Sequence, residues 1–374
     1  MRHLNRLMLF VAAAAFAACS EDGVLEPQQP DASFSVSGRG ARHVTVMTRN
    51  MYIGADVDAA MAALATPDQT DDLPAMMTAL ETLQRTDFAA RVQAMADEIA
   101  RNRPQVVGVQ EAYKLSLTPE LLGLPPGAPV EIDFLAALQW ALGARGLNYT
   151  LAGKNTTTDA TVGVGGGAVR IIDHDALLVD ADRVTLEGQP VEKVFDVNLG
   201  EVATGVSLLR GYVARQATVG GVPMLLVSSH FEAGKSADIV EIRRLQAAEL
   251  AQYIGGAPRV VLLGDLNDVA GSPMYRVLAR RAQLLDTWAA MRPRVEGLTC
   301  CHLPDLSNRR PNFYSRIDYV WTRGFDGPSG RVQGEITRTG MLPRERVNGA
   351  FGLIWPSDHA GLVATFVLPA SVLR

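Results

Sequence analysis

The chain holds only three cysteines in 374 residues, Cys19, Cys300 and Cys301. Cys300 and Cys301 are adjacent in GLTCCHLP, and neighbouring positions make poor joint ligands for one tetrahedral zinc, so a zinc site there is not expected. In an oxidising compartment the same adjacency favours a loop-stiffening vicinal disulfide over two free thiols. A basic excess is also missing. Lys and Arg number 35 against 40 Asp and Glu, a net charge of −5, and no clustered basic stripe offsets it. Tight non-specific grip on duplex nucleic acid is therefore disfavoured, although chemistry on nucleic acid is not. No internal repeat of roughly 20 to 50 residues occurs, and no low-complexity tract lies beyond residue 41. One compact unit is the simplest organisation. With 48% hydrophobic and 20% charged residues, it can bury a large core.

The first residues are of another kind. Arg2, His3 and Arg6 precede an apolar run, Leu7–Ala18, that is too short to cross a bilayer as a mature helix but fits an export signal. The run ends in FAAC, which resembles the lipobox of bacterial lipoproteins. Residues 1–18 are thus expected to be a lipoprotein-type signal peptide, with Cys19 as the lipidated residue. Residues 19–41, polar and rich in Pro, Gly and Ser, read as a flexible tether, and 42–374 as the folded domain. The expected location is the bacterial cell envelope, lipid-anchored, or otherwise secretion. A monomer is expected.

Along the folded part, HVTVMTRN alternates as a half-buried strand does and delivers Asn50 at its end. FAARVQAMADEI places Phe88, Val92, Met95 and Ile99 at helical spacing, and Pro104 follows as a stop. PQVVGVQE is a buried strand that ends at Glu111. A helix is expected from about Ile132 to Ala144. The glycines of VGVGGG lead into the strand-like AVRII, so they predict a hairpin turn and not a nucleotide-binding loop. LLRGYVARQATV and MLLVSSH read as antiparallel strands, the second ending at His230. RVVLLGDLND presents Asp265 and Asn267, Ser272 and Pro273 open a helix, and SRIDYVWT carries Asp318. Asp358 and His359 precede the last strand, GLVATFVL. Residues 54–85 are expected to be helical, either a flap beside the site or a surface pair.

The predicted strand ends therefore carry carboxylates, amides and imidazoles that one rim of a sheet scaffold can bring together. TRN, VQE, SSH, GDLND, RIDYV and SDH, in that order, resemble the motifs of the endonuclease/exonuclease/phosphatase superfamily. That family includes pancreatic-type deoxyribonucleases, abasic-site endonucleases, bacterial neutral sphingomyelinases and inositol polyphosphate phosphatases. The resemblance spans about Arg42 to Leu368.

It implies an α/β fold, a four-layer α/β/β/α sandwich with two mixed, largely antiparallel sheets. It also implies metal-dependent attack of water on a phosphate ester. Glu111, with Asn50 beside it and Asp358 near, would bind Mg²⁺ or Mn²⁺, hard cations suited to carboxylate oxygens. His359, oriented by Asp318, would take the proton of the attacking water, a role for which Asp265 competes. Asp265 and Asn267 would orient water and phosphate oxygens, and His230 would donate to the phosphate. His230 stands where abasic-site endonucleases typically carry Tyr. Arg210, Lys154 and Asn155 are further candidates for substrate contact. The acidic chain favours a small or lipid head-group phosphoester. A secreted deoxyribonuclease, with nucleic acid as substrate only, is the alternative, and a non-catalytic lipoprotein binding a phosphorylated ligand is an alternative of another class.

Overall fold

The computed structural model describes residues 42–66, 70–203, 205–326 and 331–368. The expected signal peptide, Cys19 and the tether lie outside the described residues.

Two sheets dominate. In the first, the strands Gly334–Thr339, Gly361–Leu368, Arg42–Asn50, Val106–Gln110 and Gly167–Asp180 lie side by side. The long Gly167–Asp180 strand also pairs with Lys114–Leu117, which in turn pairs with Val130–Asp133, and with Tyr149–Val164 along its whole length. The second sheet runs Leu285–Asp286, Asp318–Arg323, Val260–Asp265, Val222–His230, Gly211–Val219 and Val184–Val194. Most neighbours are antiparallel. Arg42–Asn50 with Val106–Gln110, and Val222–His230 with Val260–Asp265, are the parallel pairs.

Strand alternation sends successive side chains to opposite faces, and the buried residues sort accordingly into three apolar seams. Val44, Val46, Val106 and Leu177 of the first sheet meet Val213, Leu226, Leu263 and Val320 of the second. Their neighbours Met47, Val107 and Val109 face outward onto Val92, Met95, Ile99 and Leu138 of the helices Phe88–Asn102 and Phe134–Ala144. On the far side, Leu225, Val227, Val260 and Leu262 pack beneath Ala247 and Leu250 of the helix Ala237–Tyr253. Three seams separate four layers, the expected sandwich. The sheets approach closely at Gly108, where an added Cβ would lie 2.8 Å from the Leu263 Cβ and 3.1 Å from the Ser228 hydroxyl oxygen.

The helix Phe88–Asn102 shows how sequence sets such an element. Asp87 caps it by accepting from the Ala90 amide, and Arg103, in the left-handed conformation at φ 46°, ends it before Pro104. Phe88, Val92, Met95 and Ile99 are all buried, each burial being worth about 1.5–3 kcal/mol. The expected helix at Ile132 starts two residues later, because Val130–Asp133 is claimed by the first sheet and Asp133 becomes the cap. Residues 54–85 contain the helices Val57–Leu64 and Asp72–Arg85, whose Ala60, Met76 and Leu80 pack with Leu115 and Val162 on the outer face of the first sheet.

Candidate active site

Between the sheets the inward-facing positions change from apolar to polar toward one end. Val46 is followed on its face by Thr48 and Asn50, Gly108 by Gln110, Leu226 by Ser228 and His230, and Leu263 by Asp265. The transition is stitched along the first sheet and across the gap. The Thr48 hydroxyl donates to Gln110 Oε1 at 3.1 Å, Gln110 Nε2 to Ser228 Oγ at 3.0 Å, and Asn50 Nδ2 to Asp265 Oδ2 at 3.1 Å. All these groups are buried, so pairing them avoids the penalty of orphaned donors and acceptors.

At the end of this ladder the cleft residues converge. Asn50 Nδ2 also donates to Glu111 Oε1 at 2.9 Å, while Glu111 Oε2 accepts from the Ile53 amide at 3.1 Å. Glu111 and Asn267 both have positive φ, 55° and 51°, a conformation uncommon outside glycine that lets each strand end turn its side chain back into the cleft. One ligand atom each from Glu111, His230 and Asp265 lies within 4.8 Å of the others. Burial raises the carboxyls of Glu111, Asp358 and Asp265 above their ordinary range, Asp265 to about 7, with nearby carboxylates adding to the effect. Three crowded carboxyls of this kind, Asp265 buried and Glu111 and Asp358 half-buried, fit a divalent cation, which would compensate them.

Opposite stands His359. Its Nδ1 is 2.8 Å from Asp318 Oδ2, and its Nε2 lies 3.7 Å from Asp265 Oδ2 and 3.9 Å from Asp358 Oδ1. Burial opposes charge on this imidazole, but Asp318, Asp358 and Asp265 outweigh it and hold the ring well above its ordinary value while those carboxylates stand uncompensated; a cation held by Glu111 and Asp358 would offset that negative charge and return Nε2 to its proton-accepting form. His230 behaves oppositely: burial, then the positive charges of Arg210 and His359, push it well below its ordinary value, and it is neutral. Arg210 Nη1 lies 2.9 Å from His230 Nδ1 and Asn267 Nδ2 lies 3.0 Å from Nε2. Arg210 has only donors, so Nδ1 accepts and Nε2 carries the proton. The Nε2–H, 3.7 Å from Asp265 Oδ2, and the adjacent Asn267 amide, which also donates to the Phe231 carbonyl at 3.1 Å, are then neighbouring donors suited to one acceptor lying over both, such as a phosphate oxygen.

The structure thus brings Asn50, Glu111, Arg210, His230, Asp265, Asn267, Asp318, Asp358 and His359 to one place. Lys154 and Asn155 lie on the Tyr149–Val164 strand, Asn155 opposite Asp175 and against Gly211, the residue after Arg210. Lys154 lies beside His174, and the buried Asn155 donates to the Lys193 carbonyl at 3.0 Å. Cys300 and Cys301 form a vicinal disulfide across a cis peptide bond, and Cys301 Sγ lies 3.8 Å from His359 Nε2. Sequence reasoning missed Asp173 and Asp175. Asp173 lies 3.7 Å from Arg210 Nη1 and Asp175 4.0 Å from His230 Nδ1. Their two-residue spacing, in phase with the inward-facing Leu177, was the available signal.

Carboxylates placed for a cation, a histidine–aspartate pair and convergent donors define a phosphoester-hydrolysing class of site. The sequence model of the Endonuclease/Exonuclease/phosphatase family matches residues 81–359. The chain belongs to this family, whose members are generally metal-dependent phosphoester hydrolases. No curated protein matches it. Among solved structures, an endonuclease/exonuclease/phosphatase from Beutenbergia cavernae is 20% identical with a TM-score of 0.56, over 88% of this chain and 72% of that one. D. rerio TDP2 complexed with a single-strand DNA product is 17% identical with a TM-score of 0.51, over 87% and 98%. Truncated Caenorhabditis elegans TDP2 is 18% identical with a TM-score of 0.50, over 87% and 97%. These likenesses concern the fold.

Proposed function

We propose that this protein hydrolyses small or lipid head-group phosphoesters with Mg²⁺ or Mn²⁺, by attack of a water activated at His359. The observation that carries the reading is the placement of His359 Nε2 3.7 Å from Asp265, across from the Glu111, His230 and Asp265 cluster. Glu111, with Asn50 and Asp358, would hold the cation, which when bound supplies positive charge to the phosphate oxygens. The chain's own groups do the rest. Asp265 orients the water; the water's proton passes to His359 Nε2 as the water oxygen bonds to phosphorus, and the ester oxygen leaves with the bonding pair and takes a proton from solvent. Asp318 accepts the Nδ1–H and stabilises the imidazolium. The Nε2–H of His230 and the Asn267 amide donate to a phosphate oxygen as its charge grows.

For substrate, the acidic balance of the chain, 35 basic against 40 acidic residues, favours a single phosphate in a pocket over a long polyanion. The second reading is a nuclease, since a protein of this fold has been solved with a single-strand DNA product. Salt separates the two. Extended phosphate contacts make binding fall steeply with salt, and a single-phosphate pocket responds weakly. The test compares kcat/KM for a lipid or small phosphodiester with that for duplex DNA across a KCl series. A shallow slope and preference for the small substrate are expected. Steeply salt-sensitive plasmid degradation without turnover of small or lipid esters would identify a nuclease, and no turnover of any of these a binding protein.

A further inference from the structure

Arg91 is a fully buried guanidinium whose partners are carbonyl groups. It lies on the helix Phe88–Asn102, and its donors are spread over three separate stretches of backbone. Nε donates to the Thr86 carbonyl at 2.8 Å, Nη1 to Met51 at 2.8 Å and Pro356 at 3.3 Å, and Nη2 to Tyr52 at 3.1 Å. The rings of Phe88 and Tyr52 flank it, 5.4 and 5.7 Å from Cζ. Burial pulls this group down to about 10, with Tyr52 and Asp358 pulling the other way, so it remains a cation at neutral pH. Keeping an interior charge whose hydrogen bonds go to carbonyl dipoles is costly, and such a cost is retained where the geometry it enforces is useful.

The carbonyls it gathers belong to the two limbs of the cleft. Met51 and Tyr52 form the turn between Asn50 and Ile53, and the Ile53 amide holds Glu111. Pro356 precedes Ser357, Asp358 and His359. Ser357 adds a second tie, its hydroxyl donating to the Asn50 carbonyl at 2.9 Å and accepting from the His359 amide at 3.1 Å. Gly54, at φ +96°, makes room for both the Thr86 side chain and this guanidinium: a Cβ there would stand 2.4 Å from Thr86 Oγ1 and 2.9 Å from Arg91 Nη2. A guanidinium is suited to this task because its planar fork addresses several acceptors at fixed angles, which an ammonium cannot.

We propose that Arg91 is a positioning residue for hydrolysis, fixing the Asn50–Glu111 limb against the Asp358–His359 limb. The inference rests on the hydrolytic reading above. Arg91→Lys keeps the charge and loses the fork. Displacing catalytic groups by about an ångström costs on the order of a hundredfold in rate, so kcat should fall by roughly that factor with KM changed less than about threefold. Calorimetric Mn²⁺ affinity should weaken by about tenfold, as loss of supporting contacts around a metal site does. Arg145→Lys, at the C-terminal cap of the neighbouring helix Phe134–Ala144, serves as control and should change neither. A folded Arg91→Lys protein with wild-type kcat and Mn²⁺ affinity would overturn the proposal. Should Arg91→Lys fail to fold, Arg91→Gln, which keeps an amide donor toward the same carbonyls but loses the charge and the fork, must give the same losses, or the proposal is wrong. If the wild type turns over no phosphoester, the hydrolytic reading fails by itself. Mn²⁺ affinity then still decides for Arg91, weakened affinity in a folded variant supporting it and unchanged affinity refuting it.

Discussion

Asp318 Oδ2 lies 2.8 Å from His359 Nδ1, joining a strand of the second sheet to the segment that enters the last strand of the first. The bond fixes one face of the imidazole and leaves Nε2 toward Asp265. His359→Ala should lower kcat by roughly a hundredfold or more with little change in KM, the pattern of a lost proton acceptor. Steady-state kinetics at saturating metal checks this, and an unimpaired variant would remove His359 from the mechanism.

Glu111 accepts from Asn50 and from the Ile53 amide and still crowds His230 and Asp265. Glu111→Ala should raise the Mn²⁺ dissociation constant by about tenfold or more, since even supporting residues around a metal carry that much. Calorimetry measures it without reference to turnover.

Beneath the His359 backbone, Arg49 donates to the His359 carbonyl and to Glu98 Oε1 at 3.1 Å. Burial raises Glu98 to about 7, with Arg49 opposing. A carboxyl raised in the folded state binds more protons there than in the unfolded chain. Its contribution is fully present below about pH 4.5 and is lost as pH rises through about 7, a change on the order of 3 kcal/mol at most. Thermal unfolding of wild type and Glu98→Gln should therefore diverge between pH 5 and about 7.5, with the Gln variant gaining relative stability as pH rises. Parallel curves would show that the ion pair keeps Glu98 ionised throughout.

At Gly108 the two sheets touch, with Leu263 and Ser228 opposite. Gly108→Val should cost about 1–3 kcal/mol through overpacking, seen as a lowered denaturation midpoint at unchanged m-value. A variant as stable as wild type would mean the inter-sheet seam yields easily at that point.

The layers were legible because strand and helix periods are written directly into segments such as HVTVMTRN and FAARVQAMADEI, which became a strand and a helix almost as read. The rim was legible because its residues stand where apolar alternation stops. Asp173 and Asp175 escaped because they lie at the point where Gly167–Asp180 passes from one pairing partner to another, inside a strand and not at its end. Arg91 escaped for a different reason. On a helix that is apolar at every third or fourth position, an arginine looks solvated, and only the tertiary fold shows the carbonyls around it. Lys154 and Asn155 stand in a polar stretch that pairing of Tyr149–Val164 with Gly167–Asp180 makes a strand, which sets Asn155 opposite Asp175 with its amide donating to the Lys193 carbonyl.

Turnover of a bis-aryl phosphodiester as a function of Mg²⁺ or Mn²⁺, run beside a chelator-treated sample and His359→Ala, tests the central claim most directly. The account predicts saturable activation by the cation, loss of activity in chelator that added metal restores, and a His359→Ala rate about a hundredfold or more below wild type at saturating metal. Equal wild-type rates with metal and in chelator, or no hydrolysis at any metal concentration, would contradict it.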